Sequence, residues 1–200
     1  MLLSELHYLP SVAFFSELKS QHKLLLEACE NYQKQTYRNR CYILSANGIL
    51  PLVIPVSTSS SKLITKVTID YSQRWTQIHL RAIQSAYGKS AFFEHYFPYF
   101  EKIYLSKCPT LFEFNSQMLT LCLKLLKWPI KPHFTTDFIR EYNDNTLKDI
   151  RNIFSPEVFT PSFSPNHDKK YFQAFGNIFV NNLSIVDLLF NEGTNAGAYL

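Results

Sequence analysis

Glycine is scarce in this chain, 5 residues in 200, and none of the five falls into a G-x-G-x-x-G or G-x-x-x-x-G-K pattern. A phosphate cradled by glycine backbone is therefore not expected. There is no H-E-x-x-H, no cluster of histidine with cysteine and no dense set of carboxylates, so neither a metal nor another cofactor is expected. The nucleophile elbow G-x-S-x-G is missing as well. These absences exclude the best-signposted nucleotide folds and hydrolases, but not an enzyme whose site is assembled from distant segments. Cysteine is also sparse. Cys29, Cys41, Cys108 and Cys122 lie far apart, with no pair at metal or redox spacing, and read as buried small hydrophobes in a reducing compartment. No apolar run approaches the roughly 20 residues that span a bilayer. The start, Met1-Leu2-Leu3-Ser4-Glu5-Leu6, carries an acid and lacks the basic region of an export signal. A cytoplasmic protein without membrane insertion is the expectation. The formal net charge of +4 is spread among interspersed acids. That is a mild bias towards anionic partners, and the absence of a long basic stripe argues against nucleic acid.

What the chain has in quantity is aromatic side chains, 17 Phe and 12 Tyr. Its length predicts one domain, residues 1–200, that buries about 70% of its unfolded surface. A weak subdomain boundary falls near residues 142–146, where Tyr142-Asn143-Asp144-Asn145 is rich in turn formers.

Leu2 to Tyr8 reads as a strand stopped by Pro10, Val12 to Gln21 as a helix, and Lys23 to Cys29 as a second strand. Strand, helix, strand within thirty residues is the crossover unit of a parallel sheet. Ala46-Asn47-Gly48-Ile49 then joins two arms of a hairpin whose second arm, with Pro51 and Pro55, belongs at an edge. The Ser-rich stretch Ser57 to Lys62 is a connector or a lid. Val67 to Asp70 can be a strand. A helix from Trp75 to Tyr87, opened by Ser72 or Gln73, ends at Gly88. Ala91 to Tyr104 is helical with a break or kink at Pro98. Thr110-Leu111-Phe112-Glu113 is a capping box for the next helix, which Trp128-Pro129 stops. Pro129 to Asp137 returns as a strand, Thr146 and Asp149 cap a helix through Phe154, and Ser155 to Lys170 is a loop anchored by Phe159 and Phe163. His167-Asp168 in that loop is a catalytic pair on paper only, since adjacent loop residues rarely face one another. Phe175 to Val180 reads as a strand or an extended segment, and Ser184 caps a closing helix that ends at Gly193. The fold class is α/β: a small mixed sheet with an N-terminal strand-helix-strand unit, an edge hairpin and surrounding helices.

The richest polar stretch runs from Glu30 to Cys41, with three cations, four side-chain amides, two phenols and one carboxylate in twelve residues. It begins where the second strand ends, and ligands of parallel sheets gather at the carboxyl ends of strands. Lys34, Arg38 and Arg40 can hold a carboxylate, phosphate or pyrophosphate, while Tyr32, Gln35, Tyr37 and Asn39 orient it. Glu27, Glu30 or Asp70 could instead neutralise the same cations in a structural network. On the helix that follows, Trp75 and His79 share a stripe. His79 is thus either a core residue or the acid–base group of the site.

Several marks together resemble the WbqC-like protein family over essentially the whole length. They are Tyr8-Leu9-Pro10 followed by Phe14-Phe15, the Tyr32-x-Lys34 and Asn39-Arg40 cluster, Pro51 to Pro55, Trp75 with His79, and Leu183-Ser184-Ile185 through Asn191-Glu192-Gly193. The resemblance implies a place near bacterial O-antigen and other polysaccharide genes, in a family proposed to include amino-acid (glycine) transferases acting on sugars. It implies pocket roles for Tyr32, Lys34, Asn39, Arg40, Trp75 and His79. Many members carry His-Gln ahead of Tyr-Leu-Pro, where this chain has Ser4-Glu5. The functional expectation is a group transferase, moving an amino-acid or acyl group to a sugar or sugar nucleotide in surface polysaccharide biosynthesis. It would bind an anionic substrate such as a sugar nucleotide or an activated carboxylate. The alternative is a non-catalytic adaptor whose polar cluster is structural.

Overall fold

The computed structural model describes residues 1–21, 23–156 and 169–200. Phe159, Phe163 and the His167-Asp168 pair lie outside the described residues.

The N-terminal crossover is present: β1 (Leu2–Glu5), α1 (Val12–Lys19) and β2 (Leu24–Glu27), with β1 parallel to β2 and Leu2 opposite Leu24. Helix α1 starts at Ser11, whose hydroxyl accepts from the Phe14 amide, and it buries Val12, Phe14, Phe15 and Leu18. Two further strands complete a four-stranded parallel sheet, β7 (Pro132–Phe134) beside β2 and β8 (Lys148–Asp149) beside β1, giving the order β7-β2-β1-β8. All four strands therefore deliver their carboxyl ends to one side of the molecule.

The hairpin consists of β3 (Arg40–Ser45) and β4 (Gly48–Val53), with Ser45 opposite Gly48. Gly48 alone carries the positive φ, 100°, so the loop closes on a left-handed glycine after Ala46-Asn47 and not through two left-handed residues. Because β3 begins at Arg40, Arg38 lies ahead of the strand and does not share a strand face with Arg40. A second antiparallel pair, β5 (Val56–Ser57) and β6 (Thr68–Ile69), brackets the Ser-rich stretch.

The helices are α2 (Trp75–Tyr87), α3 (Phe93–Leu105), α4 (Leu111–Leu125) and α5 (Ile185–Glu192). Thr110 caps α4 by accepting from the Glu113 amide, as the capping box requires. Helix α2 instead opens at Arg74 with no side-chain cap, while Asp70 accepts from the Ser72 amide one turn earlier. Pro98 does not break α3, which runs through it with Phe93, Phe100 and Tyr104 buried. The proline removes only the bond to the Glu94 carbonyl, and both residues lie on the exposed face, where water can replace it.

Two further segments differ from the sequence reading. Lys148-Asp149 is a strand and not the cap of a helix: the Lys148 amide bonds the Met1 carbonyl and the Ile150 amide bonds the Leu3 carbonyl. Burial of Ile150 and Phe154 secures this placement. Residues 175–180 form bends with no strand pairing. The closing helix matches its reading: Ser184 accepts from the Val186 amide, and Gly193 at φ 54° ends it. A Cβ there would lie 2.3 Å from the Phe92 ring, so any side chain would have to displace that ring. No helix among the described residues is long and apolar enough to cross a membrane.

Candidate functional site

The two strands of the crossover each end in a glutamate, Glu5 and Glu27, which stand opposite each other in register. Carboxylates paired this way across strands repel, so cations must lie against them. Arg38 supplies the first. Its guanidinium is 1% exposed and forks onto Glu30 (Nε to Oε1 2.8 Å, Nη2 to Oε2 2.6 Å), with Glu5 at 4.0 Å. Arg151 supplies the second, donating to Glu27 at 2.8 Å and to Asp149 at 2.7 Å. Thr135 and the Cys29 amide also donate to Glu27. Asn152 links the halves: its amide donates to Glu5 at 3.0 Å, and its Oδ1 accepts from Arg38 at 3.0 Å. His7 Nε2 sits 3.1 Å from Glu5. Burial pushes the Glu5 carboxyl up, but His7 and Arg38 outweigh it and hold the group down at about 2.

Two clefts open on this seam, and they share Tyr32. The larger, about 500 Å³, is built from the loops after β2, β7 and β8: Cys29 to Gln33, then Phe138 and Arg140, then Asp149, Arg151 and Asn152. The smaller, about 320 Å³, lies between the 32–40 segment and residues 53–58, and is lined by Tyr32, Lys34, Gln35, Asn39 and Arg40. Five of the expected substrate-binding residues thus meet on one wall. Asn39 is pinned there by donating to the Ile54 carbonyl at 2.8 Å, and Thr58 of the Ser-rich stretch faces it. Arg40 is half-buried, with its Nε unpartnered, and it makes no ion pair with a described residue. The Arg40 and Arg38 charges draw the Tyr32 phenol down, against a larger upward push from burial.

The other four expected residues lie elsewhere. Arg38 is consumed by Glu30 beneath the clefts. Tyr37 is buried against His7, ring centroids 5.5 Å apart. Trp75 and His79 are each 3% exposed and sit edge to face at 5.2 Å. The His79 Nδ1 meets the Tyr8 hydroxyl at 2.9 Å, and that hydroxyl also bonds the Tyr104 hydroxyl. The other side of the ring bonds the Val53 backbone, and Val53 lines the smaller cleft. His79 therefore stands behind the cleft wall. Burial lowers its pKa to about 4 and keeps it neutral.

Sequence reasoning missed Glu5, Arg151, Asn152, Phe138 and Arg140 as parts of this region. A signal was available for the first, an acid at the carboxyl end of each of the two crossover strands. Among the described residues no group of three or more His, Cys, Asp or Glu is placed to hold a metal.

A model of the WbqC-like protein family matches residues 6–157 and 151–199. Uncharacterized protein Rv1507c of Mycobacterium tuberculosis is 24% identical, over 97% of this chain and 94% of its own length. No solved structure matches the chain.

Proposed function

We propose, from the premise that the chain belongs to the WbqC-like protein family, that it is a group transferase moving an amino-acid or acyl group to a sugar or sugar nucleotide in bacterial surface polysaccharide biosynthesis. The anionic part of its substrate lies in the smaller cleft. One observation carries this reading: Arg40 lines that cleft with a buried Nε unpartnered, while the neighbouring Arg38 is fully neutralised. Taking part of a guanidinium out of water without a counter-charge is unfavourable, and a phosphate or carboxylate reverses that cost by bidentate bonding. Lys34 adds a second charge at the exposed edge, and Gln35 and Asn39 add amides. Catalysis here rests on positioning and charge stabilisation. His79 is assigned to holding β4 through Val53, since it does not face the cleft.

Calorimetric titration with pyrophosphate tests the reading. Arg40→Ala should weaken binding by on the order of tenfold to a hundredfold while leaving the melting curve in place, the loss expected of one charge-assisted contact. Binding should also fall between low salt and 0.5 M salt. Unchanged affinity in the variant refutes the anion site. The rival reading, an adaptor with a structural polar cluster, draws on the Arg38–Glu30 pair and on the exposed Phe172 and Ile178, 71% and 83% accessible. It predicts no binding of pyrophosphate at all.

A further inference from the structure

We infer that the larger cleft is the seat of a heteroaromatic base, so that the ligand of this site is a nucleoside phosphate whose phosphates pass Tyr32 into the smaller cleft. The path of the phosphates rests on the anion-site reading above. The base site stands on separate observations.

The first is position. The cleft is formed by the loops that leave β2, β7 and β8 at their carboxyl ends, the place where open parallel sheets receive ligands. Its size, about 500 Å³, suits a nucleoside.

The second is the aromatic wall. Phe138 is 55% exposed, yet it is not a free side chain, because the Arg151 guanidinium lies 5.4 Å from its ring centre. That guanidinium is itself fixed by Glu27 and Asp149 and has Tyr142 at the same 5.4 Å. A water-exposed ring held against a fixed guanidinium, in a cleft that Tyr32 also lines, is a stacking platform, and a flat heterocycle removes more of its surface from water than a puckered sugar can.

The third is the polar edge. Arg38 holds the Asn152 Oδ1, which turns the amide NH₂ of Asn152 into an oriented donor with no partner among the described residues. The residue sits at φ 59°, a left-handed conformation that asparagine adopts readily, with its side chain and backbone amide bonded to Arg38 and Glu5. Asn31 and Gln33 add two exposed side-chain amides, and such groups read the donor and acceptor pattern of a base edge.

The fourth is charge. Arg151 and Arg38 pair with Glu27, Glu30 and Asp149 and offset two of their three negative charges, and the exposed Arg140, with no acid partner among the described residues, brings a third positive charge to the cleft. With no glycine cradle in the chain, phosphates must be held by side chains such as Arg140, Arg40 and Lys34.

The full chain is titrated with uridine, adenosine, cytidine and guanosine monophosphates, with the nucleosides alone, with ribose 5-phosphate and with pyrophosphate. At least one nucleotide should bind about tenfold or more tighter than ribose 5-phosphate. Phe138→Ala should abolish that preference and leave pyrophosphate binding unchanged, and Phe138→Trp should retain it. Asn152→Asp keeps the oxygen that Arg38 holds, removes the donor and adds a negative charge, so it should lower nucleotide affinity by more than it lowers pyrophosphate affinity. Equal binding of nucleotides and ribose 5-phosphate overturns the base site, as does a preference that survives Phe138→Ala. Nucleoside binding without pyrophosphate binding supports the base site and refutes the anion reading instead.

Discussion

Two of the polar assemblies buried in this fold solve the same problem in opposite ways. Tyr8, His79, Tyr104 and Cys41 share hydrogen bonds in a sealed core. Each can be neutral, and burial ensures that it is: it pushes the phenols of Tyr8 and Tyr104 and the Cys41 thiol up, and it holds the His79 imidazole down at about 4. Glu5, Glu27, Glu30, Arg38 and Arg151 form the other assembly. A guanidinium cannot shed its charge, so it must be matched atom by atom. The first network lines neither cleft and touches the smaller one only from behind, through the bond of His79 to Val53, whereas members of the second line the larger cleft directly. Burying polarity is inexpensive when protons can be rearranged, and demands fixed partners when they cannot.

The largest test of that contrast is Arg38→Ala. It leaves Glu30 and Glu5 buried without their cation and should cost about 3–5 kcal/mol in chemical denaturation. Replacing Arg38 and Glu30 together by Met and Leu should recover the part of that loss that comes from Glu30. If Arg38→Ala is no worse than a surface change, the seam is not the brittle part of the fold.

The neutral network is probed by acid. The folded pKa of His79, about 4, lies below its ordinary 6.5, so the unfolded chain takes the proton first and stability falls as pH drops from 6.5 to 4. Asp187 acts in the opposite sense. Burial raises it from 3.8 to about 6, against hydrogen bonds from Tyr171, Tyr87 and Gln173. The folded chain therefore holds the extra proton, and stability rises as pH drops from 6 to 3.8. Each effect is on the order of 3 kcal/mol, so the natural chain should show a nearly flat stability between pH 6.5 and 4. Asp187→Asn should expose a steep loss on acidification, and His79→Gln a gain. Parallel profiles for both variants would contradict the assignment. The smallest effect belongs outside either network: Lys148→Ala, which breaks the exposed pair with Glu17, should change stability by no more than about 0.5 kcal/mol.

The elements that were legible in the sequence carry local signals. Leu24-Leu25-Leu26 and the spacing of Val12, Phe15 and Leu18 gave the crossover, Asn47-Gly48 the hairpin, Thr110 and Glu113 the start of α4, and Ser184 the start of α5. Strand β8 was hidden because two paired residues have no periodicity, and Lys148-Asp149 resembles a helix start when read alone. The cluster from Tyr32 to Arg40 could be located, but not divided: Arg38 and Arg40 look alike in sequence, and only the fold turns one onto Glu30 and the other towards a cleft. The partnership of Glu27 with Arg151 joins positions 124 residues apart and leaves no local trace. His79 could be placed on the Trp75 stripe, yet which side of the Val53 backbone it would occupy depends on packing between α2 and β4.

That 124-residue separation has a consequence for how the protein acquires its shape. Loop closure over such distances is entropically slow, so the walls contributed by residues 138–152 meet those contributed by residues 5–33 late in folding. The larger cleft should then be absent from any early compact species and appear only with the finished molecule. A ligand for it would recognise completed chains alone, delaying thermal unfolding without hastening the folding reaction.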